Sequence, residues 1–225
     1  MRHVFLATAI STAALTFTAS AILAHDHSNH ADHSHGHYDH NHHENAEQIY
    51  KGYFEDAQIA ERRLADWAGV WQSVYPYLQD GTLAPVMESK AQKGDKTAAE
   101  YTAYYEAGYQ TEVARIEITA EGGFTFRNND GTSFSGDYVS DGYEILTYAK
   151  GNRGVRFIFK KASGDEAAPA FIQFSDHRIA PSKSDHYHLY WGEDRDALLN
   201  EMTHWPTYYP AGLSGAEIAA EMLAH

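Results

Sequence analysis

The sequence predicts an antiparallel β-barrel with flanking helices, on three observations. Turn signals recur about every ten residues between residues 112 and 192, at Glu121-Gly122-Gly123, Asn128-Asn129-Asp130-Gly131, Ser140-Asp141-Gly142, Lys150-Gly151-Asn152-Arg153-Gly154 and Ser163-Gly164-Asp165, the spacing that successive hairpins require. The segments between them are short and rich in Val, Ile, Phe and Tyr: Val113–Ile118, Phe124–Phe126, Phe134–Val139, Tyr143–Tyr148, Val155–Phe159 and Ala170–Phe174. A meander of that many strands leaves unpaired edges unless it closes on itself.

Taken in order, residues 1–24 read as an export signal. Arg2 and His3 form a short polar start, the run from Val4 to Phe17 is apolar and small, and cleavage is expected after Ala21 or Ala24. Thr and Ser interrupt that run, which is shorter than the roughly 20 apolar residues of a membrane-spanning helix. Residues 25–45 form a His-rich tail, with 9 of the 15 histidines of the chain between positions 25 and 43. The tail has no apolar periodicity with which to offset its ordering entropy and is expected to be flexible. An ordinary imidazole has a pKa of about 6.5, so at neutral pH these rings are mostly neutral and able to ligate. The tail therefore reads as a metal trap in which many donors compete for one ion.

Residues 46–225 read as the folded domain. Ile49, Tyr53, Ala57, Ala60 and Leu64 stand at helical spacing and predict a helix over 46–66. Gly69-Val70-Trp71 begins a strand that stops before Pro76. Thr97-Ala98-Ala99-Glu100 and Ser214-Gly215-Ala216-Glu217 are capping boxes opening two further helices, the first with an aromatic face of Tyr101, Tyr104, Tyr105 and Tyr109. Met202 to Pro210 is an aromatic segment expected to pack over the barrel, with His204 structural.

Composition narrows the function. The chain has 225 residues and no cysteine, and 17 Lys+Arg against 31 Asp+Glu give a net charge of −14. Disulfide scaffolds, thiolate metal sites and Cys nucleophiles are excluded. An acidic chain without basic clusters is a poor nucleic-acid binder.

The chemistry lies in two segments, Phe171 to His177 and His186-Tyr187-His188, joined by a connection containing Pro181. One intervening residue keeps His186 and His188 on the same side of a strand. If the segments pair as a hairpin, His177 falls opposite His186 with Cβ atoms about 5 Å apart. His177, His186 and His188 are thus the predicted metal ligands. Imidazoles without cysteine favour Zn2+, with Cd2+, Ni2+, Co2+ or Cu2+ in its place. The fourth position is left open between water, a tail histidine, a carboxylate and His225. Asp176 and Asp185 adjoin the ligands, either as groups that orient the rings or as solvated loop residues. Protonation competes with metal, so affinity is expected to fall steeply below about pH 6.

The sequence also resembles the ZinT (YodA) family of periplasmic zinc-binding proteins. The resemblance rests on Leu64-Ala65-Asp66-Trp67-Ala68-Gly69-Val70-Trp71-Gln72-Ser73-Val74-Tyr75-Pro76, on Gln173 to His177 with Ala180-Pro181, on His186-Tyr187-His188, and on Leu198 to Met202 followed by Trp205-Pro206-Thr207-Tyr208-Tyr209-Pro210. It implies a lipocalin-like (calycin) barrel with added helices and places the family's three ligands on His177, His186 and His188. It implies further a periplasmic, non-enzymatic protein that holds scarce Zn2+ and passes it to the zinc-binding component of an ABC importer. The cysteines of some relatives are absent here.

Two other functions compete. Three imidazoles and a water on zinc also serve hydrolases and hydratases, and His186-x-His188 with Glu193 resembles half of a cupin metal motif. Ala180 stands where that motif has glycine, its second half is missing, and spacing identifies no general base. A carrier of a small apolar ligand is the third reading.

Overall fold

Eight antiparallel strands close into a barrel in the computed structural model, which describes residues 45–201 and 203–224. The expected export signal, all but the last residue of the His-rich tail, and His225 lie outside the described residues. The strands are β1 (Gly69–Ser73), β2 (Val113–Ile118), β3 (Gly123–Asn128), β4 (Ser133–Thr147), β5 (Arg153–Gly164), β6 (Phe171–Ser175), β7 (Tyr187–Gly192) and β8 (Thr207–Pro210). Each pairs with its neighbour in sequence, and β8 returns to β1 through Trp71 opposite Pro210 and Ser73 opposite Tyr208. Closure removes every free edge, which is the physical reason the meander signal predicts a barrel.

Three local expectations change. The turn expected at Ser140-Asp141-Gly142 is a bulge inside one continuous β4: Ser140 faces Phe159 and Tyr143 faces Phe157, one extra residue on the β4 side, with Gly142 at φ +85°. An Asp-Gly pair marks a place where positive φ is tolerated, and a bulge uses it as readily as a hairpin does. The segment expected to pack over the barrel from Met202 to Pro210 also supplies a strand, β8, at Thr207–Pro210, while Trp205 and Tyr209 pack into the second core. Finally, the helix expected over 46–66 is helical over residues 45–50 (α1) and then breaks. Gly52 turns at φ +86°, and the Arg153 amide donates to its carbonyl at 2.8 Å. A Cβ on Gly52 would sit 2.3 Å from the Arg153 carbonyl oxygen, so the chain leaves the helix where only glycine lets it press on β5. Two 3-10 turns follow, Asp56–Gln58 and Leu64–Trp67, and the second drives Leu64 and Trp67 into the core.

The remaining helices are α2 (Tyr75–Gln79), α3 (Ala84–Lys93), α4 (Ala98–Tyr109), α5 (Arg195–Leu199) and α6 (Gly215–Ala224). Both capping boxes form, Thr97 with Glu100 and Ser214 with Glu217. One core fills the barrel, with Trp67, Trp71, Phe126, Phe174 and Tyr187 among its buried rings; a second lies under the helices around Leu83, Met87, Tyr109, Tyr209 and Ile218. The aromatic face of α4 belongs to the second core at Tyr109, whereas Tyr104 is exposed.

Arg62 is the unusual core residue. Its guanidinium lies 3.9 Å over the Trp67 ring, which stacks on Phe174 at 4.4 Å. It donates to Asp176 Oδ1 at 2.6 Å, to Asp66 Oδ2 at 3.0 Å and to the Ser182 carbonyl at 2.8 Å. The Arg62 and Asp176 side chains are both fully buried. Removing one member of such a pair leaves the other charged and unpaired out of water. Arg62→Ala is therefore expected to destabilise the fold by about 3–5 kcal/mol, measured by urea unfolding of the metal-free protein; a loss no larger than the about 1 kcal/mol of an exposed pair would contradict this account.

Candidate metal centre

The three predicted ligands gather at one mouth of the barrel, around the β6–β7 connection. β6 and β7 pair with Phe174 opposite Leu189 and Ser175 opposite His188. Continued, that register would bring His177 opposite His186, but both strands end first. Asp176 turns into the core toward Arg62, and His177 takes φ +60°, the only positive φ outside glycine among the described residues. Histidine enters that region at a cost of about 1–2 kcal/mol, and the turn moves its ring off the sheet.

The rings nevertheless form a nearly equilateral triangle. Their centres are 6.2 Å (His177 to His186), 5.9 Å (His177 to His188) and 6.3 Å (His186 to His188) apart. Among the described residues no three His, Asp or Glu side chains stand as close as the donors of a coordinated ion. The triangle is slightly wider than that: its centre is about 3.5 Å from each ring centre, against roughly 3.2 Å for an imidazole bonded to zinc through a nitrogen at about 2.1 Å. Side-chain rotation of a few tenths of an ångström covers the difference.

Each ring is held from behind. The Tyr50 ring stacks on His177 at 4.5 Å, and the Tyr50 carbonyl oxygen is 3.2 Å from His177 Nδ1. His186 stacks on Tyr209 at 4.9 Å, with its Nδ1 3.4 Å from Glu221 Oε1. His188 Nδ1 is 2.7 Å from Thr207 Oγ1, whose hydroxyl donates to the Trp205 carbonyl. A carbonyl oxygen only accepts and the Thr207 hydrogen is already committed, so His177 and His188 are both held in the tautomer with hydrogen on Nδ1, whereas the buried His186 Nδ1 has the Glu221 carboxylate beside it without a formed hydrogen bond. In His177 and His188 the lone pair then resides on Nε2, the state a divalent cation requires.

Distant elements supply these supports. Trp205 donates its amide to the Gly108 carbonyl at 2.7 Å, and a Cβ at Gly108 would meet the Trp205 ring at 2.3 Å, so α4 sets the position of the segment carrying Thr207. Burial and the Glu221 carboxylate push the Tyr209 phenol far above its ordinary pKa, which keeps it protonated as the donor to Glu221 Oε2 at 2.5 Å. Burial pulls the His188 pKa well below its ordinary value, and the His177 and His186 rings act in the same direction. A cleft of about 380 Å3 is lined by all three histidines, with Tyr104, Trp205 and Tyr209 among its walls.

Asp176 and Asp185, both candidates for orienting the rings, serve elsewhere. Asp176 is committed to Arg62 and to the Arg178 amide, and Asp185 pairs with the Arg178 guanidinium. The groups beside the imidazoles are Tyr50, Thr207, Tyr209 and Glu221; Thr207 and Tyr209 lie in the family-like segment Trp205 to Pro210, but nothing in the sequence marks any of the four as a support for a ligand. His204 stands apart, its Nε2 2.5 Å from the Gln110 carbonyl, in keeping with a structural role.

Fold and site together define a lipocalin-like barrel with a histidine cluster at one mouth. The chain belongs to the ZinT (YodA) family, described as periplasmic, lipocalin-like and concerned with zinc recruitment, whose sequence model matches residues 45–225. It is 57% identical over 183 residues to the probable metal-binding protein YrpE of Bacillus subtilis, covering 81% of this chain and 72% of that protein. It is 52% identical over 182 residues to the zinc-binding protein AdcA of Streptococcus pyogenes, covering 79% of this chain but 35% of AdcA. The crystal structure of the Zn(II)-bound ZinT-like domain of Streptococcus pneumoniae AdcA superposes with a TM-score of 0.75 at 50% identity, covering 78% of this chain and 97% of the domain.

The depressed pKa of His188 has a consequence for stability. Below about pH 6.5 the unfolded chain protonates this ring while the folded state resists, so the unfolded state binds more protons and stability falls with pH. Between pH 7 and pH 5.5 the metal-free protein is expected to lose up to about 1.4 kcal/mol per pH unit from this group. His188→Gln should flatten that slope in urea unfolding at a series of pH values; an unchanged slope would contradict the assignment.

Proposed function

We propose that this protein captures Zn2+ in the periplasm on His177, His186 and His188 and passes it to the zinc-binding component of an ABC importer. The observation that carries the reading is the triangle of three imidazole rings about 6 Å apart at one barrel mouth, with His177 and His188 each hydrogen-bonded to an oxygen through Nδ1 and a carboxylate beside His186. Three neutral imidazoles suit Zn2+, with Cd2+, Ni2+, Co2+ and Cu2+ as competitors. Membership of a zinc-recruitment family and the Zn(II)-bound relative support the choice of metal.

Transfer is supported by how the relatives are built. In AdcA a ZinT-like domain is part of a longer zinc-binding protein of which this chain spans about a third. A ZinT-like domain joined to an importer's zinc-binding protein is an arrangement that suits handing zinc from one to the other. The His-rich tail at residues 25–45 raises the local ion concentration beside the barrel, as a tethered second site does, and the net charge of −14 draws cations weakly through salt. Binding without chemistry is the reading for the site: Glu193, the cupin-like candidate, is turned to the Ala170 amide at 3.3 Å.

A chain starting at residue 45 is expected to bind one zinc ion tightly in a competition titration, and His177→Ala together with His186→Ala should weaken it by more than about 100-fold. If that shortened chain bound no zinc while the isolated tail did, the barrel site would be refuted. Stopped-flow transfer of zinc to the importer's binding protein should outpace delivery from buffered free zinc at the same free concentration; equal rates would refute the handover.

A further inference from the structure

Among the described residues, a carboxylate stands beside the His186 ring. Its ring lies nearly parallel to the Tyr209 ring, 16° apart with centres at 4.9 Å, and its Nδ1 is 3.4 Å from Glu221 Oε1. Tyr209 bridges the two contacts, because its hydroxyl donates to the other oxygen of the same carboxylate at 2.5 Å. The three side chains thus close a loop in which Tyr209 touches the face of His186 and the carboxylate that meets its edge.

Both supports are anchored outside the barrel mouth. Tyr209 is 3% exposed on β8, and Glu221 projects from α6, which is seated in the second core by Ile218 and Ala219. The stack sets the plane of the imidazole. His186 Nδ1 is buried and forms no hydrogen bond, and the carboxylate 3.4 Å away is the acceptor placed to take its hydrogen and, by its charge, to make the opposite nitrogen a stronger donor.

On the reading that His186 is a zinc ligand, we propose that Tyr209 and Glu221 are a positioning pair for it: the stack holds its ring plane, the carboxylate receives its Nδ1 hydrogen when the ion is bound, and together they set how tightly and how long the ion is retained. Neither residue touches the ion; both act through His186. The C-terminal helix thereby becomes part of the metal site, although its own side chain stops at the second nitrogen of the ring.

The test uses the mature full-length protein loaded with Co2+, whose intense visible bands in four-coordinate sites report the barrel centre separately from a weakly absorbing, solvent-rich tail complex. Glu221→Ala is expected to weaken metal binding by about 10–100-fold and to speed metal loss to a chelator accordingly, with the melting temperature of the metal-free protein little changed. Glu221→Gln keeps an oxygen at Nδ1 without the charge and should restore most of the affinity. Tyr209→Phe keeps the stack but releases the carboxylate and should fall between the two. Parent affinity and parent bands in Glu221→Ala would overturn the proposal. So would a loss in Glu221→Gln as complete as in His186→Ala with altered bands, because Glu221 would then be a direct ligand. A parent protein without such bands would instead refute the three-histidine site itself.

Discussion

The arrangement at the barrel mouth depends on where β6 is made to stop. The ladder between β6 and β7 would carry His177 into a regular position opposite His186. The buried contact between Arg62 and Asp176 prevents this by drawing the residue before His177 into the core, at 2.6 Å. The backbone then passes through a left-handed conformation, and the ring swings onto Tyr50. The same guanidinium holds the Ser182 carbonyl, so one side chain fixes two points of the connection between the strands. A charge pair taken out of water contributes little net stability, and what it supplies here is a fixed geometry.

The centre is consequently assembled from all parts of the domain. His177 is backed by α1, His188 by β8 and His186 by α6, three elements that meet only once the barrel is closed. An ion shared by the three rings would tie the beginning, the middle and the end of the domain together. Binding to the folded state alone stabilises it in proportion to the logarithm of ion concentration, so retention of metal and integrity of the fold are coupled. The acidic surface adds a weak, salt-screened attraction that assists encounter more than retention.

Much of the fold was legible because its cause is local. Turn chemistry and β-branched or aromatic runs mark β2, β3, β5 and β6, and the two capping boxes mark α4 and α6. The exceptions are places where distant packing outweighs a local pattern. The helical spacing after Ile49 yields at Gly52 because the chain must press on Arg153. An Asp-Gly pair becomes a bulge because β5 runs past it unbroken. β8 is four residues, preceded by Pro206 and ending on Pro210, too short to carry a period, and it is a strand only because β1 and β7 both need an edge partner.

The sequence by itself determined the barrel class and named the three histidines, because alternation along a strand and the absence of cysteine are properties of neighbouring residues. Only the tertiary structure decided which way His177 faces, which nitrogen of His177 and His188 is hydrogen-bonded, and that Tyr50, Thr207, Tyr209 and Glu221 are the residues packed beside the three rings. Those partners lie as far as 127 residues away in the chain, at Tyr50 and His177. A hydrogen bond over such a separation exists only after the barrel has closed, so no pattern among adjacent residues encodes it.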